Sequence, residues 1–133
     1  MKNLRARDIM ERPVISAMMN ASARDIALQI SSGLSRSMPV TDGNREVVGM
    51  VTELDLLEQV HRGKELVRLT AADVMSRDPL TVDGETPLHE VLDIMIKNSI
   101  LKLPVTEKGH LVGVISHCNI LKVLIEPEFV MCL

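Results

Sequence analysis

Aromatic side chains are nearly missing from this chain. Among 133 residues there is one phenylalanine, Phe129, with no tryptophan and no tyrosine. A nucleic-acid surface built on stacked aromatic rings is therefore excluded, and any bound base has to lie between aliphatic side chains. Positive charge is not in excess. Lys plus Arg total 15 against 18 Asp plus Glu, a formal net charge of -3, whereas recognition of a phosphate backbone needs a basic face. A small local anion site stays open. Cysteine is scarce: Cys118 and Cys132 sit in no CxxC and make no disulfide framework, which reads as two unpaired thiols in a reducing cytoplasm. No apolar run approaches the ~20 residues of a membrane span. The opening Met1-Lys2-Asn3-Leu4-Arg5-Ala6-Arg7 has no apolar stretch of a secretion signal. These absences predict a soluble cytoplasmic protein that takes neither nucleic acid nor membrane as a partner.

What is present is an ordinary globular balance, 46% hydrophobic and 25% charged. The length fits one domain or two very small ones. The core has to be aliphatic, and the nine methionines read as core filler rather than as a metal or ligand box.

The chain repeats itself. Asp8-Ile9-Met10 returns as Asp73-Val74-Met75, and Met38-Pro39-Val40-Thr41 as Leu103-Pro104-Val105-Thr106, both 65 positions on. Val48-Gly49-Met50-Val51-Thr52 returns as Val112-Gly113-Val114-Ile115-Ser116, 64 positions on. The organisation read from this is a first repeat with its N-terminal segment at 1–61, a short charged linker at 62–72, a second repeat at 73–126 and an apolar tail at 127–133.

Each repeat carries the same local signals. An extended stretch (Val14-Ile15-Ser16; Leu80 to Gly84) leads to an amphipathic helix. In the second repeat Thr86 reads as N-cap with Pro87 at the first helical position, followed by a stripe of Leu88, Val91, Leu92 and Met95. In the first, Ser22 and Asp25 read as a capping box before Ala23, Ile26, Ala27 and Ile30. Two short strands around a turn (Asp42-Gly43-Asn44; Glu107-Lys108-Gly109) predict a hairpin. A closing helix runs from Leu54 to about Val60, and from Asn119 to about Ile125, with Pro127 as its stop. The fold class is α+β: two pseudo-symmetric β-α-β-β-α repeats, expected to pack sheet to sheet because about 50 residues are marginal alone. That packing leaves equivalent clefts between the repeats.

Thr52-Glu53-Leu54-Asp55 ends a hydrophobic strand and opens a helix. Free N–H groups and the positive dipole end suit a phosphate there. The threonine hydroxyl can donate to a phosphate oxygen, and the carboxylate three residues on can accept from two vicinal hydroxyls. The same four residues also make an ordinary capping box with no ligand. The second repeat has Ser116-His117-Cys118-Asn119, with an amide where the first has a carboxylate. It can still bond a hydroxyl, but without charge assistance.

The ordered set of Asp-[Ile/Val]-Met, Pro-Val strand and Gly-containing strand ending in [Thr/Ser]-x-x-[Asp/Asn], present twice, resembles a tandem cystathionine-β-synthase (CBS) domain pair, or Bateman module, over about residues 5–126. The resemblance implies a stand-alone regulatory module that is not an enzyme. It would bind an adenosine-type ligand (AMP, ADP, ATP or S-adenosylmethionine) in the clefts, with no other cofactor and no metal. It assigns the phosphate and ribose roles to Thr52 and Asp55, and their weaker counterparts to Ser116 and Asn119. Pseudo-symmetry and the resemblance together line the Asp55 cleft with Asp78, Pro79, Leu80, Ile100, Leu101 and Lys102. They line the Asn119 cleft with Pro13, Val14, Ile15, Leu34, Ser35 and Arg36. Lys102 and Arg36 are the candidate phosphate partners, or else solvated surface charges.

His61, His89, His110 and His117 show no metal spacing. Cys118 beside His117 is not a catalytic pair, since neighbours on a helix start are not expected to face each other and a third, orienting group is needed. The closing helices carry Leu54, Leu57, Val60 and Ile120, Val123, Leu124. That is more apolar surface than one sheet covers, and it predicts a homodimer; the resemblance adds an unidentified regulated protein as its partner. The alternative is a structural or interaction protein of the same fold without a ligand.

Overall fold

Two β-hairpins organise the chain, and the turn chemistry that closes them is visible in the backbone. The computed structural model describes residues 3–33 and 35–125. In chain order the elements are α1 (Ala6–Ile9), β1 (Ala17–Met18), α2 (Ala23–Ser31), β2 (Ser37–Thr41), β3 (Val47–Thr52) and α3 (Glu53–His61). After a 3-10 turn at Leu66–Arg68 come α4 (Ala71–Val74), β4 (Ser76–Arg77), β5 (Val82–Asp83), α5 (Leu88–Asn98), β6 (Lys102–Glu107), β7 (His110–Ser116) and α6 (His117–Leu124). The fold is mixed α+β with two sheets, ordered β1-β2-β3-β4 and β5-β6-β7.

The β6–β7 turn places Lys108 and Gly109 at φ 52 and 80, the paired positive values of a two-residue hairpin turn. Glu107 and His110 face each other across it. In the first hairpin the Asp42 carboxylate accepts from the N–H groups of Asn44 and Glu46 at 2.8 and 3.0 Å. Both hairpins carry a register shift at the same repeat position, Val40/Thr41 and Val105/Thr106. Pro39 is tolerated inside β2 because β1 reaches only Val40 and Thr41, so the missing N–H falls where β2 has a single neighbour.

Residues 3–14 with 80–125 form one compact unit, and 15–79 form the other. The units are thus offset from the sequence repeats by one lead-in segment, and the hydrogen bonds show why. Ala6 and Arg7 donate to the carbonyls of Thr86 and Gly84, and Leu88 donates to Leu4. In the other unit Ala71 and Ala72 donate to Ala21 and Met19, and Ala23 donates to Leu69. Every partner in one set lies 65 positions from its counterpart in the other. Each amphipathic helix therefore has its first N–H capped by the segment that precedes the opposite repeat.

The stripes named from the sequence face the cores. Leu88, Val91 and Met95 are buried with Leu103, Val105, Ile115 and Ile120 in one cluster, with Leu92 packed against it. Ala23 and Ile26 are buried with Met38, Val40, Val51 and Leu56 in the other, with Ala27 and Ile30 packed against it. Burying a Val, Leu, Ile or Met side chain contributes roughly 1.5–3 kcal/mol. The stretch 62–72 does more than connect. Leu66, Leu69 and Ala72 pack on the second cluster, and Ala71 lies inside it.

Four local expectations are corrected. The first lead-in strand is Ala17–Met18, three residues beyond Val14-Ile15-Ser16. Helix α5 starts one residue later, with Pro87 as N-cap, because the Thr86 hydroxyl instead accepts from the Asp83 N–H at 3.1 Å. Ser22 caps α2 by accepting from the Arg24 N–H at 3.2 Å, so the Asp25 half of the expected box is not what holds that end. The first sheet has a fourth strand, β4, supplied by the lead-in segment of the second repeat. Among the described residues, no helix is long and apolar enough to cross a membrane.

Candidate functional site

Both candidate turns form where a hydrophobic strand runs directly into a helix. At the β3–α3 junction the Thr52 N–H donates to Asp55 Oδ2 at 2.8 Å, and the Asp55 N–H donates to Thr52 Oγ1 at 3.2 Å. At the β7–α6 junction the Ser116 N–H and hydroxyl both donate to Asn119 Oδ1 at 2.8 Å, and the Asn119 N–H returns to Ser116 Oγ at 3.3 Å. Each is a complete capping box, which satisfies two otherwise unpaired backbone donors reciprocally.

The turns differ in what the lead-in segment brings to them. Ser76, the first residue of β4, donates its hydroxyl to Asp55 Oδ1 over 3.4 Å, a long and weak bond. At the same repeat position the other lead-in segment carries Glu11, whose Oε1 accepts from Asn119 Nδ2 at 2.9 Å. Glu11 is anchored by a pair of backbone bonds with Val114, at 2.7 and 3.2 Å. Asp55 is half-buried, while Asn119 is only 8% exposed. Sequence reasoning missed both Ser76 and Glu11. The available signal was their shared place one residue after the two Met anchors.

Glycine sets the close approach of these segments. A Cβ on Gly49 would lie 2.5 Å from Met75 Sδ and 2.9 Å from the Ser76 carbonyl oxygen. One on Gly113 would lie 2.5 Å from Met10 Sδ and 3.1 Å from the Glu11 carbonyl oxygen. Neither glycine needs a positive φ; what each supplies is room.

Lys102 opens β6 opposite Ser116. Burial pushes its ammonium below the usual lysine range, and the Glu11 carboxylate partly opposes that shift. Lys102 therefore sits in the Glu11–Asn119 unit. Arg36 is exposed just before β2, in the unit that holds Asp55. Asp78, at φ 55, and Pro79 lie further along from Ser76. With Val47, Val48 and Arg77 they line an open hollow of about 570 Å3 at the hairpin end of β3, away from Thr52. Leu80 and Leu101 are exposed and Ile100 is half-buried; all three belong to the Asn119 unit. Pro13 is exposed and Val14 half-buried in that same unit, while Ile15 is exposed in the other. Ser35 is buried and donates its hydroxyl to the Ser37 carbonyl. Leu34 lies outside the described residues.

Cys118 Sγ lies 3.6 Å from His117 Nε2, so the expectation that these neighbours turn apart is corrected. Among the described residues, the ring is held on its other side only by a 3.4 Å approach to the Leu101 carbonyl. Ile120 is also corrected. It is 2% exposed in its own core, and Leu121 and Leu124 carry the exposed apolar face of α6. Among the described residues no group of His, Cys, Asp or Glu could hold a metal ion.

The arrangement of two lead-in helices, two Gly-containing hairpins and two strand-to-helix capping turns defines a duplicated module. The family model for the CBS domain matches residues 6–62 and again 71–126, and the chain belongs to the CBS domain family. An uncharacterized protein of Methanopyrus kandleri is 28% identical over 132 residues, which is 98% of this chain and 66% of that one. The arabinose 5-phosphate isomerase KpsF of Escherichia coli is 31% identical over 106 residues, covering 80% of this chain and 32% of the isomerase. The chain thus spans from a third to about two thirds of the length of these relatives. Among solved structures, the CBS domain pair of protein MJ0100 in complex with 5-methylthioadenosine and S-adenosyl-L-methionine is similar at TM-score 0.80 and 23% identity, over 92% of this chain and 97% of that one. CBSX2 in complex with AMP is similar at TM-score 0.80 and 23% identity, over 91% and 96%.

Proposed function

We propose that this chain is a cytoplasmic, non-catalytic regulatory module that binds an adenosine-type nucleotide at the Thr52–Asp55 turn. It acts as a homodimer and passes the bound state to a separate protein. The observation that carries this is the Asp55 carboxylate. The residue is half-buried; one oxygen serves the helix cap, and among the described residues the other is held only by the long Ser76 bond. A carboxylate has room for about four hydrogen bonds, so this one retains acceptors for a ribose diol. The N–H groups at the start of α3 face the side where a phosphate is favoured. Two family relatives that bind AMP, or S-adenosylmethionine and 5-methylthioadenosine, support the ligand class. Regulation follows from differential affinity: the ligand stabilises whichever arrangement holds it better, and the partner reads that arrangement.

A thermal-shift screen with AMP, ADP, ATP, S-adenosylmethionine, 5-methylthioadenosine and NAD tests the reading. A ligand at 100 times its Kd adds about 2.7 kcal/mol to the native state, which moves Tm by several degrees. No shift with any of them returns the module to its alternative, an interaction protein whose capping turns are complete without a ligand.

The dimer rests on the face of α3. Leu54 and Leu57 are 63% and 62% exposed, and Val60 continues the same face. Sedimentation equilibrium at micromolar concentration is expected to give a mass near twice 14.7 kDa. A species of monomer mass alone would remove the dimer from the proposal.

A further inference from the structure

The two turns distribute the same chemical groups in opposite ways. In one unit the helix start supplies the carboxylate, Asp55, and the lead-in segment supplies a neutral hydroxyl, Ser76. In the other the helix start supplies the neutral amide, Asn119, and the lead-in segment supplies the carboxylate, Glu11. Each turn keeps one carboxylate, but its availability differs. The free oxygen of Asp55 is loosely engaged, whereas Asn119 is nearly spent. Its Oδ1 accepts two hydrogen bonds, one N–H of its amide goes to Glu11, and the residue is 8% exposed.

We propose that Glu11 is an internal latch on the Ser116–Asn119 turn. Its carboxylate takes the amide donor that a ribose hydroxyl would need, and repels a phosphate from the start of α6, so the module holds one adenosine-type ligand per chain, at Asp55. The latch is set by the backbone. Glu11 is fixed to Val114 by two main-chain bonds, and Gly113 lets Met10 and Glu11 lie against β7. The latch charge is not isolated, because it lies within the field of half-buried Lys102. This inference rests on the reading that strand-to-helix turns of this chain take an adenosine-type ligand.

Glu11→Ser tests it, since serine stands at the equivalent position in the other unit and both backbone bonds to Val114 are retained. Calorimetric titration with AMP, and with uncharged 5-methylthioadenosine, is expected to give one site per wild-type chain and two per Glu11→Ser chain. In the double variant Asp55→Ala/Glu11→Ser the remaining site is the released Ser116–Asn119 turn. Two sites in the wild type, one site in both the wild type and Glu11→Ser, or none in the double variant each overturns the latch. No binding by the wild type with one site in Glu11→Ser upholds the latch and overturns the Asp55 reading. No binding by any chain overturns both.

Discussion

Asp55→Ala is expected to weaken adenosine-nucleotide binding at least about tenfold, while Asn119→Ala leaves the affinity of that site nearly unchanged. A hydrogen bond to a charged group contributes roughly 1.5–3 kcal/mol, and 1.4 kcal/mol already corresponds to a factor of ten in Kd. Loss of the carboxylate also removes its repulsion of a phosphate, but two ribose hydroxyls held by one carboxylate outweigh that term. The stability effects should run in the opposite order. Asp55→Ala removes half of a capping box, at a cost of ~1 kcal/mol. Asn119→Ala removes the equivalent bonds at a buried position and leaves the Glu11 carboxylate without its amide partner, so it is the more destabilising of the two. Titration calorimetry and urea denaturation on both folded variants separate the effects. An Asp55→Ala chain that binds as tightly as wild type would reduce the Thr52–Asp55 turn to a helix cap.

Valine at Gly49 or Gly113 is expected to destabilise the protein by at least 1–3 kcal/mol, the usual cost of forcing extra methylenes into a packed site. Even the first added carbon at Gly49 falls 2.9 Å from the Ser76 carbonyl, and at Gly113 it falls 3.1 Å from the Glu11 carbonyl. A methionine side chain can swing aside, but a main-chain oxygen moves only with its strand. The two lead-in segments should therefore lift, and Ser76 and Glu11 should lose their reach to Asp55 and Asn119. Gly43 is the control: it sits in the first hairpin turn with nothing within 4 Å of an added Cβ, and Gly43→Ala should stay within about 0.5 kcal/mol of wild type. Urea midpoints at constant m-value report these differences. Gly49→Val and Gly113→Val chains as stable as the Gly43→Ala control would show that the close approach is not tight.

The sequence by itself determined most of what rests on short-range rules. The duplication, the hairpins with their turn residues, the apolar stripes of α2 and α5, and the Thr52–Asp55 and Ser116–Asn119 caps are all patterns of a few neighbouring residues, or of an offset of 64 or 65 residues. Each is written in contiguous residues and needs no knowledge of distant ones. It misplaced the first lead-in strand and the start of α5. Those boundaries depend on which neighbour satisfies a backbone group, as when Leu4 rather than Thr86 takes up the first N–H of α5. Tertiary structure alone decided which segment meets which turn. Ser76 reaches Asp55 across 21 residues, and Glu11 reaches Asn119 across 108. Loop-closure cost grows only slowly with such separations, so a local pattern cannot choose between partners. The choice is made where Gly49 and Gly113 leave room for a second strand and the buried residues of each core close around it.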